Sequence, residues 1–295
     1  MQESKKIITP NLNLDPHERY LSLSSGTATL SICRNTGKVV SLVSPNPHGI
    51  AQEWLEQPYQ PELRERNFQL EFKNSLSFND DVAWGSDWCY PTISAFPPEL
   101  RDHGEIWGRP VQLMHYTNTS IELGYCVFNG FFKVQIQSIE PSNESGVDAQ
   151  FKFSLQFSES LQSSPWHHWF GLFAMHSLFQ AQPGDVLEIR DHQSELARWV
   201  FPENQETQAQ KFYVSGETLQ AHWRRNSHRH ALEISHGGLH GFGIWWCNGA
   251  WGRGTSRCVG IEPTNHLTDG PVWKKPSHSL DVTASAEVQW KLVST

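Results

Sequence analysis

The sequence predicts an all-β chain, built as one large domain of the two-sheet sandwich type. Three observations predict it. Apolar and polar residues alternate with a period of two along most of the chain, clusters of Gly, Asn and Pro separate the alternating stretches, and helical periodicity is nearly absent.

The alternation is clearest in four stretches. In "FQLEFKNSLSF" (68–78), Phe68, Leu70 and Phe72 alternate with Gln69, Glu71 and Lys73. "FKVQIQSI" (132–139) and "FKFSLQFS" (151–158) repeat the pattern, and "VQWKL" (288–292) does so near the end. Such strands bury one face and leave the other to water, as antiparallel sheets do. Turns are expected at "RNTGK" (34–38), "SPNPHG" (44–49), "PSNESG" (141–146), "QPGD" (182–185) and "SHGG" (235–238), where Gly, Asn or Pro lets the chain reverse. Only "HGIAQEWLEQ" (48–57) and "PENQETQAQKF" (202–212) offer a short helix, the second equally readable as loop. With no internal repeat, low-complexity tract or Gly/Ser linker, residues 1–295 are expected to form a single unit, 1–19 being a lead-in.

Composition excludes several functions. A net charge of −8 argues against nucleic acid or an anionic membrane as partner. The basic stretch "HWRRNSHRH" (222–230) alternates arginine with histidine and lacks a Lys/Arg run for tracking phosphates. No segment approaches the ~20 apolar residues of a membrane-spanning helix, and the polar N-terminus has no signal-peptide core. The five cysteines are scattered, with no C-x-x-C pair, so neither a zinc ribbon nor a disulfide framework is indicated. A soluble, reduced, cytoplasmic protein, monomeric or homodimeric, is the expectation.

Thirteen tryptophans exceed what a core of this size requires. Trp84, Trp88, Trp107, Trp166, Trp169, Trp245, Trp246 and Trp251 lie beside polar residues in apparent loops, a mixture suited to sugar, whose C–H faces pack on indoles. Burial for area alone explains any single one of them equally well. Among the fifteen histidines, His228 and His230 have the i, i+2 spacing that shares a strand face. No acidic or cysteine third ligand accompanies them, so no metal is expected. Nucleophile elbows and phosphate loops are also missing.

What remains is acid–base chemistry. His176 interrupts the apolar run "FAMHSLF" (173–179), and Glu262 follows an apolar run in "CVGIEPTNH" (258–266). A carboxylate desolvated at a strand end is pushed toward neutrality and suits a general base, and histidine is the side chain best matched to be its acid. The ordinary alternative is a core histidine and a salt-bridged glutamate.

The segments "WCYPTISAFPPELRDHGEIWGRP", "LFAMHSLFQAQPGD" and "RCVGIEPTNHLTDG" resemble, in order, the DHG-x-x-W turn, the H-x-L-F strand and the E-P motif of the galactose mutarotase (aldose 1-epimerase) superfamily, particularly its divergent bacterial members. The resemblance spans residues 20–295. It implies a β-supersandwich of large antiparallel sheets with a small-molecule carbohydrate in a cleft. It further implies anomer interconversion by ring opening without a cofactor, with Glu262 as base, His176 as acid and His103 assisting at the sugar. Trp107 and Gly104 would form one wall of the pocket. The Asn-Arg pair of well-characterised mutarotases is missing; "NDDVAWGSDW" (79–88) occupies the comparable region, so Asp87 and Trp88 become substrate-binding candidates. The family's sugar-binding aspartate has Asp191 or Asn248 as its nearest counterpart. Arg101, Arg109 or Arg253 would clamp a sugar phosphate. A non-catalytic carbohydrate-binding or sensing protein of the same fold is the rival reading, and a polysaccharide lyase or hydrolase a more distant one.

Overall fold

The computed structural model describes residues 19–58, 84–93, 103–127, 130–141, 146–162, 173–192, 194–204, 208–228, 230–250, 256–268 and 285–294. The strand expected at 68–78 and residues Trp166, Trp169, Trp251, Arg101 and Arg253 fall outside them. Strands are numbered in chain order. The first sheet runs, in spatial order, β1 (Tyr20–Ser25), β2 (Ala28–Cys33), β3 (Val39–Pro45), β5 (Ser86–Cys89), β10 (Ala174–Gln180), β17 (Arg257–Thr264), β16 (Gly241–Asn248) and β13 (Gln208–Ser215), with β4 (Ala51–Glu53) alongside β3. The second runs β12 (Ser194–Val200), β11 (Val186–Asp191), β14 (Leu219–Arg224), β15 (His230–Gly237), β18 (Ser285–Ser294), β9 (Val147–Phe157), β8 (Gly130–Ile139), β7 (Ser120–Val127) and β6 (Gln112–Tyr116). All of these pairings are antiparallel. One four-residue helix, Glu159–Gln162, follows β9.

The sheets bury their facing sides against one another, as the alternation requires. On β8 and β9, Phe132, Val134, Ile136, Phe151, Phe153 and Leu155 point inward to meet Met175, Phe179, Val259 and Ile261 of the first sheet in one continuous core. The expected strands at 132–139, 151–158 and 288–292 lie in β8, β9 and β18. Gly37, Gly49, Gly146, Gly184 and Gly238 all have positive φ, within the five expected turns.

The two expected helices are corrected. Residues 48–57 form a turn and the short strand β4, leaving Ile50 exposed while Trp54 and Leu55 are buried. A helix would bury Ile50 beside Trp54; pairing with β3 instead satisfies the backbone. In 202–212, the residues from Gln208 onward belong to β13.

The middle of the first sheet breaks the two-period rule. Strands β5 and β17 are buried on nearly every residue, as is β10. One face meets the main core. The other carries a second apolar cluster of Val40, Trp84, Cys89, Ile93, Trp107, Ala174, Leu178, Cys247 and Cys258. The polar residues among them sit on a desolvated floor on the side of the sheet away from the main core.

Candidate active site

Register decides which side chains share that floor, because directly opposed residues project to the same face. Asp87 is opposite His176. The β10–β17 register, with Ala174 opposite Thr264 and Ser177 opposite Ile261, sets His176 opposite Glu262. Glu262 is opposite Gly243, and Gly243 is opposite Tyr213. One row therefore crosses five strands as Asp87, His176, Glu262, Gly243 and Tyr213. The adjoining row contains Leu178, Gly260, Trp245 and Lys211.

Glu262 is the centre of this arrangement. His176 Nε2 lies 3.4 Å from its Oε1, and Lys211 Nζ donates a hydrogen bond to its Oε2 at 2.5 Å. Two glycines leave room for the carboxylate. A Cβ on Gly243 would meet Glu262 Oε2 and Lys211 Cε, both at 3.3 Å, and one on Gly260 would meet Oε1 at 3.2 Å. The carboxylate is fully buried, so burial works against its charge, while the Lys211 ammonium at contact favours it.

Sequence positions 103 and 176 converge through a tight turn. His103 has φ 59° and Gly104 φ 77°, both left-handed. The His103 amide donates to Ile93 O and the Glu105 amide to Tyr90 O, each at 2.6 Å, which pins the turn to the chain leaving β5. A Cβ on Gly104 would stand 2.3 Å from the Tyr90 carbonyl oxygen, so only glycine fits. The turn delivers His103 edge-on to His176, with ring centroids 5.3 Å apart. Trp107 packs within 5.2 Å of both imidazoles. Trp107 is buried, so its role is to hold the histidines, and it presents no open stacking face.

Burial pushes the His176 imidazole well below its ordinary range, and His103, Lys211 and Lys38 add to the effect. The shift favours the neutral imidazole, which can offer or accept a hydrogen bond in the site.

Asp87 and Trp88 part company, because neighbouring strand residues face opposite ways. Trp88 turns into the main core against Phe153 and Phe173, which corrects its assignment as a substrate-binding residue. Asp87 stays on the site's face but is buried, its Oδ2 4.0 Å from Lys38 Nζ and its Oδ1 accepting from the Trp88 amide. Burial raises its carboxyl to about 6 against the pull of Lys38. Burial likewise lowers the Lys38 ammonium to about 8, partly countered by Asp87. Lys38 Nζ lies over the rings of Trp84 and Trp107 at 4.7 and 4.6 Å. The pair lies beneath the turn that carries His103.

Other candidates lie apart. The Arg109 side chain is 44% exposed and paired with Glu105 at 3.4 Å. Asp191 belongs to the second sheet, where it accepts from Thr218. Asn248 is buried at the end of β16, donating to Asn204 O. His228 and His230 go to different partners, the first packed at a tilt on Trp54 with ring centroids 4.1 Å apart and the second 3.2 Å from Asp148. Among the described residues no three His, Cys, Asp or Glu side chains gather as a metal site would need.

Sequence reasoning missed Lys211 and Lys38. Lys211 lies in "KFYVS" (211–215), where Phe212 and Val214 alternate with Lys211 and Tyr213, a strand signal masked by the helix-or-loop reading of the preceding residues. Lys38 closes an expected turn, and nothing local marks a lysine there as buried.

No protein-family model matches the sequence, and no curated protein matches it. Solved structures do. A galactose mutarotase-related enzyme from Lactobacillus acidophilus is 12% identical with TM-score 0.55, covering 94% of this chain and 98% of its own. A galactose mutarotase-like protein from Lactobacillus casei is 9% identical with TM-score 0.59, over 93% and 99%. A homologue of aldose epimerase from C. elegans is 8% identical with TM-score 0.52, over 94% and 99%. At such identities the likeness is one of fold. That fold, two large antiparallel sheets spanning nearly the whole chain, is the galactose mutarotase-like one. Among the described residues no helix is long and apolar enough to cross a membrane.

Proposed function

We propose that this chain, which has the galactose mutarotase-like fold, is an isomerase that interconverts the α and β anomers of a hexose or hexose derivative by acid–base ring opening. The observation that carries the reading is the approach of His176 Nε2 to Glu262 Oε1 at 3.4 Å on adjacent strands, with His103 brought in by its own turn. Glu262 takes the C1 hydroxyl proton. His176, at Oε1 of that carboxylate, and His103 beside it position the base, and the ring oxygen receives a proton as the C1–O5 bond breaks. Rotation about C1–C2 and closure on the other face complete the exchange. Positioning and proton transfer suffice for this chemistry. Half-buried Trp245, opposite both Gly260 and Lys211, supplies an indole beside the carboxylate for the sugar's apolar face. The chain acts as one domain, in keeping with neighbours of similar length that share its fold across more than nine-tenths of the sequence.

The test is NMR magnetisation exchange between the anomers of glucose, galactose and their 6-phosphates. Wild-type protein accelerates exchange for at least one of them, and Glu262→Gln reduces that rate by ~10²–10⁴-fold. Glutamine still accepts hydrogen bonds, so equal rates in the two proteins would sink the role given to Glu262. Broadened sugar lines without faster exchange would instead make the chain a carbohydrate-binding protein.

A further inference from the structure

We infer that Lys211 is a catalytic residue, the ammonium group that protonates the sugar's ring oxygen while Glu262 takes the C1 hydroxyl proton. The assignment rests on the anomer-interconverting reading of the site and deepens it. Ring opening needs one group that gives a proton and one that takes it, on two oxygens bonded to the same carbon. Lys211 Nζ and Glu262 Oε2, 2.5 Å apart, are such a pair.

Accessibility separates Lys211 from the histidine. The Glu262 side chain is 0% exposed and that of His176 5%, whereas Lys211 is 20% exposed on the neighbouring edge of the same face. Lys211 is thus the more solvent-accessible partner of the buried carboxylate. It comes from β13, the outermost strand of the sheet, and is opposite Trp245, so a sugar resting on that indole lies beside the ammonium. Tyr213, 5.7 Å from Nζ at its ring centre, flanks it. The other groups around Glu262 are less suited. Burial disfavours the charged form of His176, whose side chain is 5% exposed, and Lys38 is committed to Asp87. His103 packs edge-on against the His176 ring.

The step balances without a co-reactant. The electrons of the C1–O5 bond stay on O5, which takes a proton from the Lys211 ammonium. The O1–H proton passes to the Glu262 carboxylate, and the electrons it leaves form the C1=O1 bond. The products are the open-chain aldehyde with a hydroxyl on C5, a neutral amine and a neutral carboxylic acid. After rotation O5 attacks the other face, the amine recovers the O5 proton and the acid returns one to O1. Burial favours this course, because a desolvated ion pair is costly and its conversion to two neutral groups relieves that cost.

The experiment compares wild type, Glu262→Gln, Lys211→Ala and Lys211→Gln with the hexose that responds, adding ethylammonium or tetramethylammonium at equal ionic strength. Lys211→Ala is expected to lose on the order of 10²-fold in kcat, with KM held within about threefold. Ethylammonium, which carries a transferable proton, restores part of the rate. Tetramethylammonium, which carries only charge, does not. Wild-type exchange in either Lys211 variant overturns the assignment while leaving the reaction standing. Rescue by both cations, or a loss neither reverses in a variant with wild-type Tm, also overturns it, in favour of a lysine that merely holds Glu262. If Lys211→Ala melts early, Lys211→Gln carries the comparison, because it keeps length and hydrogen bonding without the proton. A wild type that accelerates no hexose sinks the reaction and this donor together.

Discussion

The Glu262 carboxylate is held between His176, Lys211 and the two glycines opposite and beside it, from four strands. Gly243 is the informative one because its backbone is unstrained: it has no positive φ, so alanine there is conformationally allowed. The added Cβ would press on Oε2 and on Lys211 Cε at 3.3 Å and on the Tyr213 ring at 3.1 Å. Replacing glycine by alanine also stiffens the unfolded chain, worth about 0.4–1 kcal/mol toward stability where the conformation is compatible. Gly243→Ala is therefore expected to fold with a Tm near wild type while its kcat for anomer exchange falls by about 10-fold or more, since small misplacements of a positioned group are costly. A variant with full activity would show that the carboxylate tolerates displacement. Gly104→Ala separates from it. Positive φ and a 2.3 Å approach to backbone leave no relaxed solution, so stability and activity fall together, the former by about 1–3 kcal/mol.

At the scale of elements, the turn carrying His103 and the strand carrying His176 are joined through Lys38 and Asp87. Both charges are fully buried, and the shifts of each toward its neutral form reflect the same desolvation. Removing one partner of such a pair leaves the other charge without compensation and typically costs about 3–5 kcal/mol. Lys38→Met should approach that loss by urea unfolding at pH 7. Lys38→Met with Asp87→Leu should recover most of it, because both charges then leave together. An additive double mutant would mean the two groups act independently. This pair also shows what was legible in the sequence and what was not. Strands such as β8 and β9, with one wet face, announce themselves by period two. The three motifs bearing His103, His176 and Glu262 were legible as a resemblance; register sets His176 opposite Glu262, and a turn brings His103 against His176. The strands β5, β10 and β17 are covered on both sides, and there alternation fails, so the facing of Trp88 away from Asp87 could not be read. Lys38 and Lys211 depend on contacts between residues far apart in sequence: Lys38 is buried by Trp84 and Trp107, and Lys211 reaches Glu262 only across β16.

Across the whole molecule, burial disfavours the charged form of several histidines, His176 and His228 being buried and His236 partly so, and this shapes how stability responds to acid. Burial, with Arg225 nearby, lowers His228 to about 3; burial, with His240, lowers His236 to about 4; and His176 lies well below its usual range. The sign follows from proton counts. Unfolded, each histidine takes up a proton near pH 6.5. Folded, each stays neutral until far lower pH. Between these limits the unfolded state binds more protons, so stability is full above about pH 6.5 and declines as pH falls toward 4. Each such group contributes at most about 1.4 kcal/mol per pH unit in that window. Asp87, raised to about 6, works the other way between its unfolded value and pH 6, offsetting one histidine's worth. Below that range Glu188, Glu233 and Glu287, held low by their basic partners, add a further loss. Urea midpoints should therefore fall steadily from pH 7 to pH 5, before the surface carboxylates titrate. His228→Gln, which fills the place beside Trp54 without a titrating ring, should flatten the slope by up to one proton's worth. Midpoints that stay level between pH 7 and 5 would mean that the folded protein takes up as many protons as the unfolded chain, so that burial does not hold these imidazoles neutral as a group. A histidine could then supply the ring-oxygen proton, and the case for Lys211 would rest on its geometry beside Glu262 alone.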